Sequence, residues 1–181
     1  MATTTGGDKF QKHLARIREA ASQPAVLRVG FLEKAKYPDG TPVAMVGATQ
    51  NYGAPRAGIP PRPFFTNMIA NKKPEWGPAA AELLKEHDYD VRIVLDLMGY
   101  AIAGQLRESI GDTNDPPLSP ITLMLRLMRS EDQTLRVTGR TVGIAAGRVS
   151  RGESAAGVVS TKPLVWSKHM LNSVDHEVEI R

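Results

Sequence analysis

Residues 91–110, VRIVLDLMGYAIAGQLRESI, decide how the rest of the chain is read. Val91, Val94, Leu95, Met98, Ile102, Leu106 and Ile110 recur at three- and four-residue intervals and form one helical stripe. Ile93, Leu97 and Tyr100 make much of the opposite side apolar too, and a helix apolar on two sides is expected at the centre of a fold. Asp90 stands where an N-cap would be, after a break around residues 88–90. Gly99 falls where a helix-turn-helix would turn, but that motif needs a buried apolar residue six positions later and Gln105 stands there. A continuous helix is the better reading.

Upstream, helical spacing begins after Pro78, and residues 50–77 are the least periodic part of the chain. Pro55, Pro60, Pro61, Pro63 and Pro74 deny that stretch backbone donors, and residues 59–63 are expected to be extended, close to polyproline II. Leu27, Val29 and Phe31 alternate with Arg28 and Gly30, and a second β-compatible run, 43–49, follows a Pro38-Asp39-Gly40 turn. These read as a β-hairpin. Phe10, Leu14 and Ile17 share one face of a short amphipathic helix that starts at Asp8 and has stopped by Pro24, and residues 1–7 read as a flexible tail.

Downstream, residues 112–117 are a loop, and Ser119-Pro120 reads as an N-cap with proline in the first turn of a helix holding Ile121, Met124, Leu125 and Met128. From 129 to 160 the apolar content falls and five glycines loosen whatever helix Val142, Ala146 and Val149 would form, so this stretch is expected to be an arm outside the core. Val174, His176, Val178 and Ile180 then alternate with Asp175, Glu177, Glu179 and Arg181, a half-buried strand. The expectation is one α+β domain over residues 8–181. A small antiparallel sheet, hairpin plus C-terminal strand, packs against the central helix, with an extended Pro-rich loop and a polar arm.

Composition narrows the function. At 181 residues the chain has room for one ordinary core, and no stretch is apolar enough for a membrane span. No apolar run backs the first charges, so no secretory leader is expected. With no cysteine, thiolate chemistry, disulfides and Cys-ligated metals are out of reach. His13, His87, His169 and His176 show no metal spacing, His176 reads as a structural histidine, and no phosphate-cradling glycine loop is present. No catalytic residue, metal or cofactor is expected, and a small hydrolase is the weakest reading. The net charge of +4 is low for a dedicated nucleic-acid binder. Arg136, Arg140, Arg148 and Arg151 would still let the arm track phosphates, so a sequence-independent DNA-binding accessory protein is the alternative.

Three segments are poorly explained by core packing: residues 59–64, IPPRPF; residues 116–122, PPLSPIT; and Lys162-Pro163-Leu164 followed by residues 169–174, HMLNSV. In this order, with Tyr52-Gly53 before the first and a Gly99-containing helix between the first two, the chain resembles the tail-completion and neck proteins of tailed phages. The resemblance spans roughly residues 43–178, and departs from the family where Trp166-Ser167-Lys168 stands in place of an Asp-Thr-Gly turn. It implies a structural virion protein, assembled in the host bacterial cytoplasm, that closes the junction between head and tail as a homo-oligomeric ring, with a hexamer expected. The implied partners are the head-tail connector or head-closure protein and the tail tube protein, with non-specific contact to DNA in the lumen.

On this reading Ile59, Pro60, Pro61, Arg62 and Pro63 are candidate interface residues, because a proline loop docks at little entropic cost and Arg62 offers five fixed donors. The arm arginines 136, 140, 148 and 151 join them. Phe64, Trp76, Pro117, Leu118, Pro163, Leu164 and Leu171 are the expected structural anchors.

Overall fold

The computed structural model describes residues 7–22, 24–165 and 168–180. Its organising element is helix α4, Val91–Asp112, one unbroken helix of 22 residues. The Asp90 side chain accepts from the Ile93 amide and so satisfies one of the first-turn donors. Before it, Asp88 and Tyr89 both adopt left-handed backbone conformations, and that ends the preceding helix, α3, Phe64–Glu86.

Two strands, β1 Ala25–Phe31 and β2 Val174–Ile180, pair antiparallel to make the whole of the small sheet among the described residues. The register sets Leu27 opposite Val178, Val29 opposite His176 and Phe31 opposite Val174, so one face of the pair is nearly all apolar and lies on α4. The approach is close. A Cβ at Gly99 would collide with the His176 ring. That ring, almost fully buried, bonds through Nε2 to Asp96 Oδ1 at 2.9 Å and packs edge-on against Tyr100.

The α+β class with a small antiparallel sheet against the central helix holds, but the second run of the expected hairpin is helical. The Pro38–Gly40 turn forms, with Gly40 N–H donating to Tyr37 O and a single bridge between Lys36 and Pro42. The chain then enters helix α2, Val43–Tyr52. Residues 43–49 are rich in valine but do not alternate; their buried positions are Val43, Gly47 and Asn51, at helical spacing. Gly47 lets α2 lie against the Phe31 ring.

Helix α3 also begins earlier than its sequence suggests, at Phe64, and carries Pro74 and Pro78 within it. Both prolines are exposed, so the carbonyls they leave unbonded face solvent while Phe64, Met68 and the half-buried Ile69 and Leu83 face the core. Buried Asn51 caps this helix from a distance: its Oδ1 accepts from the amides of Phe65 and Thr66. Ser109 Oγ donates to Phe64 O and ties the same helix start to α4.

The arm is more structured than its glycine content suggests. Helix α5, Pro120–Glu131, starts on the Ser119 cap with Pro120 in its first turn. Helix α6, Gly139–Ser150, opens with a capping box between Thr138 and Thr141. The two pack on each other around a second, smaller core of Met124, Met128, Ala145 and Ala155. The inward stripe of α6 thus runs through Ala145 and the half-buried Val149, while Val142 stays exposed. Of the expected flexible tail, residues 1–6 lie outside the described residues and Gly7 opens helix α1, Gly7–Ser22. One further short helix, α7, His169–Asn172, leads into β2 and buries Met170. No helix among the described residues is long and apolar enough to cross a membrane.

Candidate functional site

The three proline segments meet. Pro60 and Pro61 are exposed and Ile59 and Pro63 are partly buried, as suits a stiff surface loop. Gly53 sits beneath them in the left-handed region, where a Cβ would press on Ile59 O and the Pro61 nitrogen. Arg62, expected to face a neighbour, points inward instead and is 4 % exposed. Its Nε donates to Pro116 O at 3.0 Å, its Nη2 to Pro117 O at 3.4 Å and its Nη1 to Gln50 Oε1 at 3.2 Å. An arginine's five donors let it satisfy several carbonyls at once, and these carbonyls cannot find partners in a proline-broken backbone.

A second arginine repeats the device. Arg126, on α5, donates to Ser160 O, Lys162 O and Pro163 O at 2.7, 2.9 and 3.0 Å. Lys162 Nζ reaches back to Gly111 O at the end of α4. Burial pushes the Arg62 guanidinium below its usual range, opposed by nearby Asp115, and burial together with the Arg62 charge does the same to Arg126. Both cations are held mainly by backbone oxygens, at a junction between the main core and the α5–α6 pair. Ordinary sequence reading misses this because an arginine's default place is the surface and Arg62's backbone partners, Pro116 and Pro117, lie more than 50 positions away.

Compared with family models, with curated proteins and with solved structures, the chain matches none.

The expected anchors are distributed around this junction. Phe64 is fully buried, with its ring edge-on to Phe31 and Phe65. Leu164 is buried in the main core, while Pro163, Leu118 and Leu171 are partly buried. Pro117 differs from the expectation: its ring is exposed, and it contributes through its carbonyl. Trp76 is partly buried and its Nε1 donates to Gln105 Oε1 at 2.9 Å, which accounts for the glutamine that spoils a helix-turn-helix. Trp166, named in the turn that departs from the phage pattern, lies outside the described residues, as does Ser167.

The arm arginines divide into two pairs. Arg148 bonds Glu153 through Nε at 2.7 Å and approaches Glu131 at 3.5 Å, and Arg151 bonds the other Glu153 oxygen at 3.1 Å. The hydrogen bond from Arg148 holds the Glu153 carboxyl below its usual range. These two cations are spent inside the chain. Arg136 and Arg140 are exposed on the first turn of α6 and just before it. The histidines are dispersed, one each on or beside α1, α3, α7 and β2, and among the described residues no three metal-ligating side chains come together.

One recess sits next to the proline loop. Val29, Gly30, Phe31, Ala44, Gly47 and Phe65 line much of an open, largely apolar cavity of about 310 Å³. Asn51 forms part of its wall, and the Asn51 Nδ2 donor has no hydrogen-bond partner among the described residues.

Proposed function

We propose that the chain is a structural component of a tailed-phage virion, a tail-completion or neck protein that closes the head-tail junction as a ring. The observation that supports this is the convergence at Arg62 and Arg126. The three segments on which the resemblance rests are joined as one unit: IPPRPF by Arg62 to the carbonyls of Pro116 and Pro117, and the Lys-Pro-Leu segment by Arg126 to α5. Residues that hold one junction together are expected to occur as a set and in order. The loop they brace leaves Pro60 and Pro61 at the surface, rigid and available to a neighbour.

The alternative, a DNA-binding accessory protein, loses ground on the ion pairs. Arg148 and Arg151 already hold Glu153, so only Arg136 and Arg140 of the four arm arginines present uncommitted charge to a phosphate backbone. Partners on the proposed reading are further copies of this chain, a head connector or closure protein and a tail tube.

Electron microscopy of the purified protein, alone and mixed with tail tubes from the phage that encodes it, tests the proposal. Closed rings of about six copies, seated at one tube end, are the expected result. Failure to decorate tube ends, combined with a gel shift on duplex DNA that collapses steeply with salt, would replace the virion reading by the DNA-binding one.

A further inference from the structure

Two helices leave apolar stripes uncovered, and the stripes match. On α1, Phe10 is 63 % and Leu14 47 % exposed, with Ile17 one turn further on. On α4, Ile93, Leu97 and Tyr100 are 44, 38 and 64 % exposed, a row that meets the edge of the sheet where Tyr100 packs on His176. Both sets have the spacing i, i+4, i+7, so each makes a ridge of the same length and pitch. At 100° per residue, Arg18 lies beside the stripe of α1 with Lys9 further round, while Asp90 and Asp96 lie beside that of α4 with Arg92 as far round as Lys9. The charges nearest the two stripes are opposite.

Within one chain neither stripe covers the other. Helix α1 touches its own body through the exposed Arg16–Asp88 pair at 3.0 Å and an edge contact of His13 with Tyr89. Exposed pairs of this kind hold little, and a helix of 16 residues is marginal in water unless its apolar face is covered. The receiving surface is better fixed. Tyr100 packs on His176, whose Nε2 bonds Asp96, so little ordering is needed before something docks there.

We propose that α1 of one copy lies on the Ile93–Leu97–Tyr100 face of the next, with Arg18 meeting Asp90 or Asp96. This rests on the ring reading above and supplies the surfaces for it. Because the giving and receiving surfaces differ, the contact is heterologous: every copy gives one helix and receives one, and the series closes only as a ring.

Mass photometry and sedimentation of the full chain across concentrations, with Leu14→Glu and Leu97→Glu variants, test the pairing. Each substitution lies at an exposed position, so melting curves should match the unaltered chain, while self-association weakens about thirtyfold or more. An equimolar mixture of the two variants should form dimers and stop, since one sound interface survives per pair. The absence of cysteine makes a second test clean. Under oxidation a chain carrying both L14C and L97C should give a ladder of covalent multimers on a non-reducing gel. A monomer band that only migrates faster would mean that α1 folds back on its own α4, and L14C alone linking to itself would mean a two-fold contact; either overturns the pairing. If both glutamate variants assemble as the unaltered chain does, the pairing is wrong and the ring reading stands. If the unaltered chain stays monomeric throughout, the pairing is wrong and the ring reading is decided by the tube-end images.

Discussion

The two cores of this molecule differ in what they bury most deeply. The main one, between the sheet and helices α2, α3 and α4, buries Phe64, Leu106, Ile110, Val43 and Val174, side chains that are large or branched and have few rotamers, alongside Met68, Met98 and Met170. The smaller one, between α5 and α6, buries two methionines and two alanines, with leucines and valines only partly buried around them. Branched and aromatic groups specify one packing; methionine is flexible and alanine buries little area. The chain therefore has a region that sets the fold and a region that can yield, and arginines on backbone carbonyls form part of the joint between them.

The largest effect should come from the main core. Phe64→Ala removes a fully buried ring and is expected to cost about 3–5 kcal/mol, lowering the melting temperature of the whole chain. A loss confined to the α5–α6 amides in hydrogen exchange would break the comparison, since it would make Phe64 a local residue.

Next is the joint. Arg62→Ala leaves the Pro116 and Pro117 carbonyls without their donor and is expected to cost about 2–3 kcal/mol. Denaturant unfolding measures it. Arg62→Lys should recover only part of the loss, because one ammonium cannot span three acceptors. Full rescue by lysine would reduce the junction to a matter of charge.

Met124→Ala should cost about 2 kcal/mol, the low end for a buried methionine, because a core of flexible side chains can close on the space. Native-state hydrogen exchange should show increased opening of α5 and α6 with α4 unchanged. Equal deprotection of α4 would mean that the molecule has one core and not two.

The smallest effect concerns the ion pairs that brace α6. Arg148→Ala should lower the melting temperature slightly, and less at high salt than at low. The Glu153 carboxyl is held below its usual range by Arg148, so its contribution is complete above the ordinary carboxylate range and fades as pH falls through the depressed value. In the Arg148→Ala variant that acid-side loss should shrink in a pH series of melts, with Arg151 retaining part of it; an unchanged loss would assign it to Arg151 or another group.

What was legible in the sequence follows how local each cause is. The Asp90 cap, the Ser119-Pro120 start and the alternation of residues 174–180 are written in consecutive residues, and the structure has all three. Helix α2 was not legible, because its valines suit a strand and its helical state depends on Gly47 meeting Phe31 and on Asn51 capping α3, both distant contacts. Pro74 and Pro78 hid the first half of α3, since a rule about backbone donors gives way when the orphaned carbonyls face water. At the junction the segments themselves stood out, while the inward turn of Arg62 did not: nothing near residue 62 announces partners around 116.

The clasp formed by the sheet sets the order of events during synthesis. Arg28 and Glu179, joined by a 2.7 Å ion pair across the two strands, lie 151 positions apart. During synthesis β1 has no partner, and α4 lacks part of its cover, until residues 174–180 have emerged. Closing so long a loop is slow compared with forming the local helices. The pulling force that folding exerts on a translational arrest sequence should therefore stay low until the residues up to 180 have left the exit tunnel, and then rise in one step. A copy cut short before residue 174 would lack its latch and leave the apolar side of β1 uncovered.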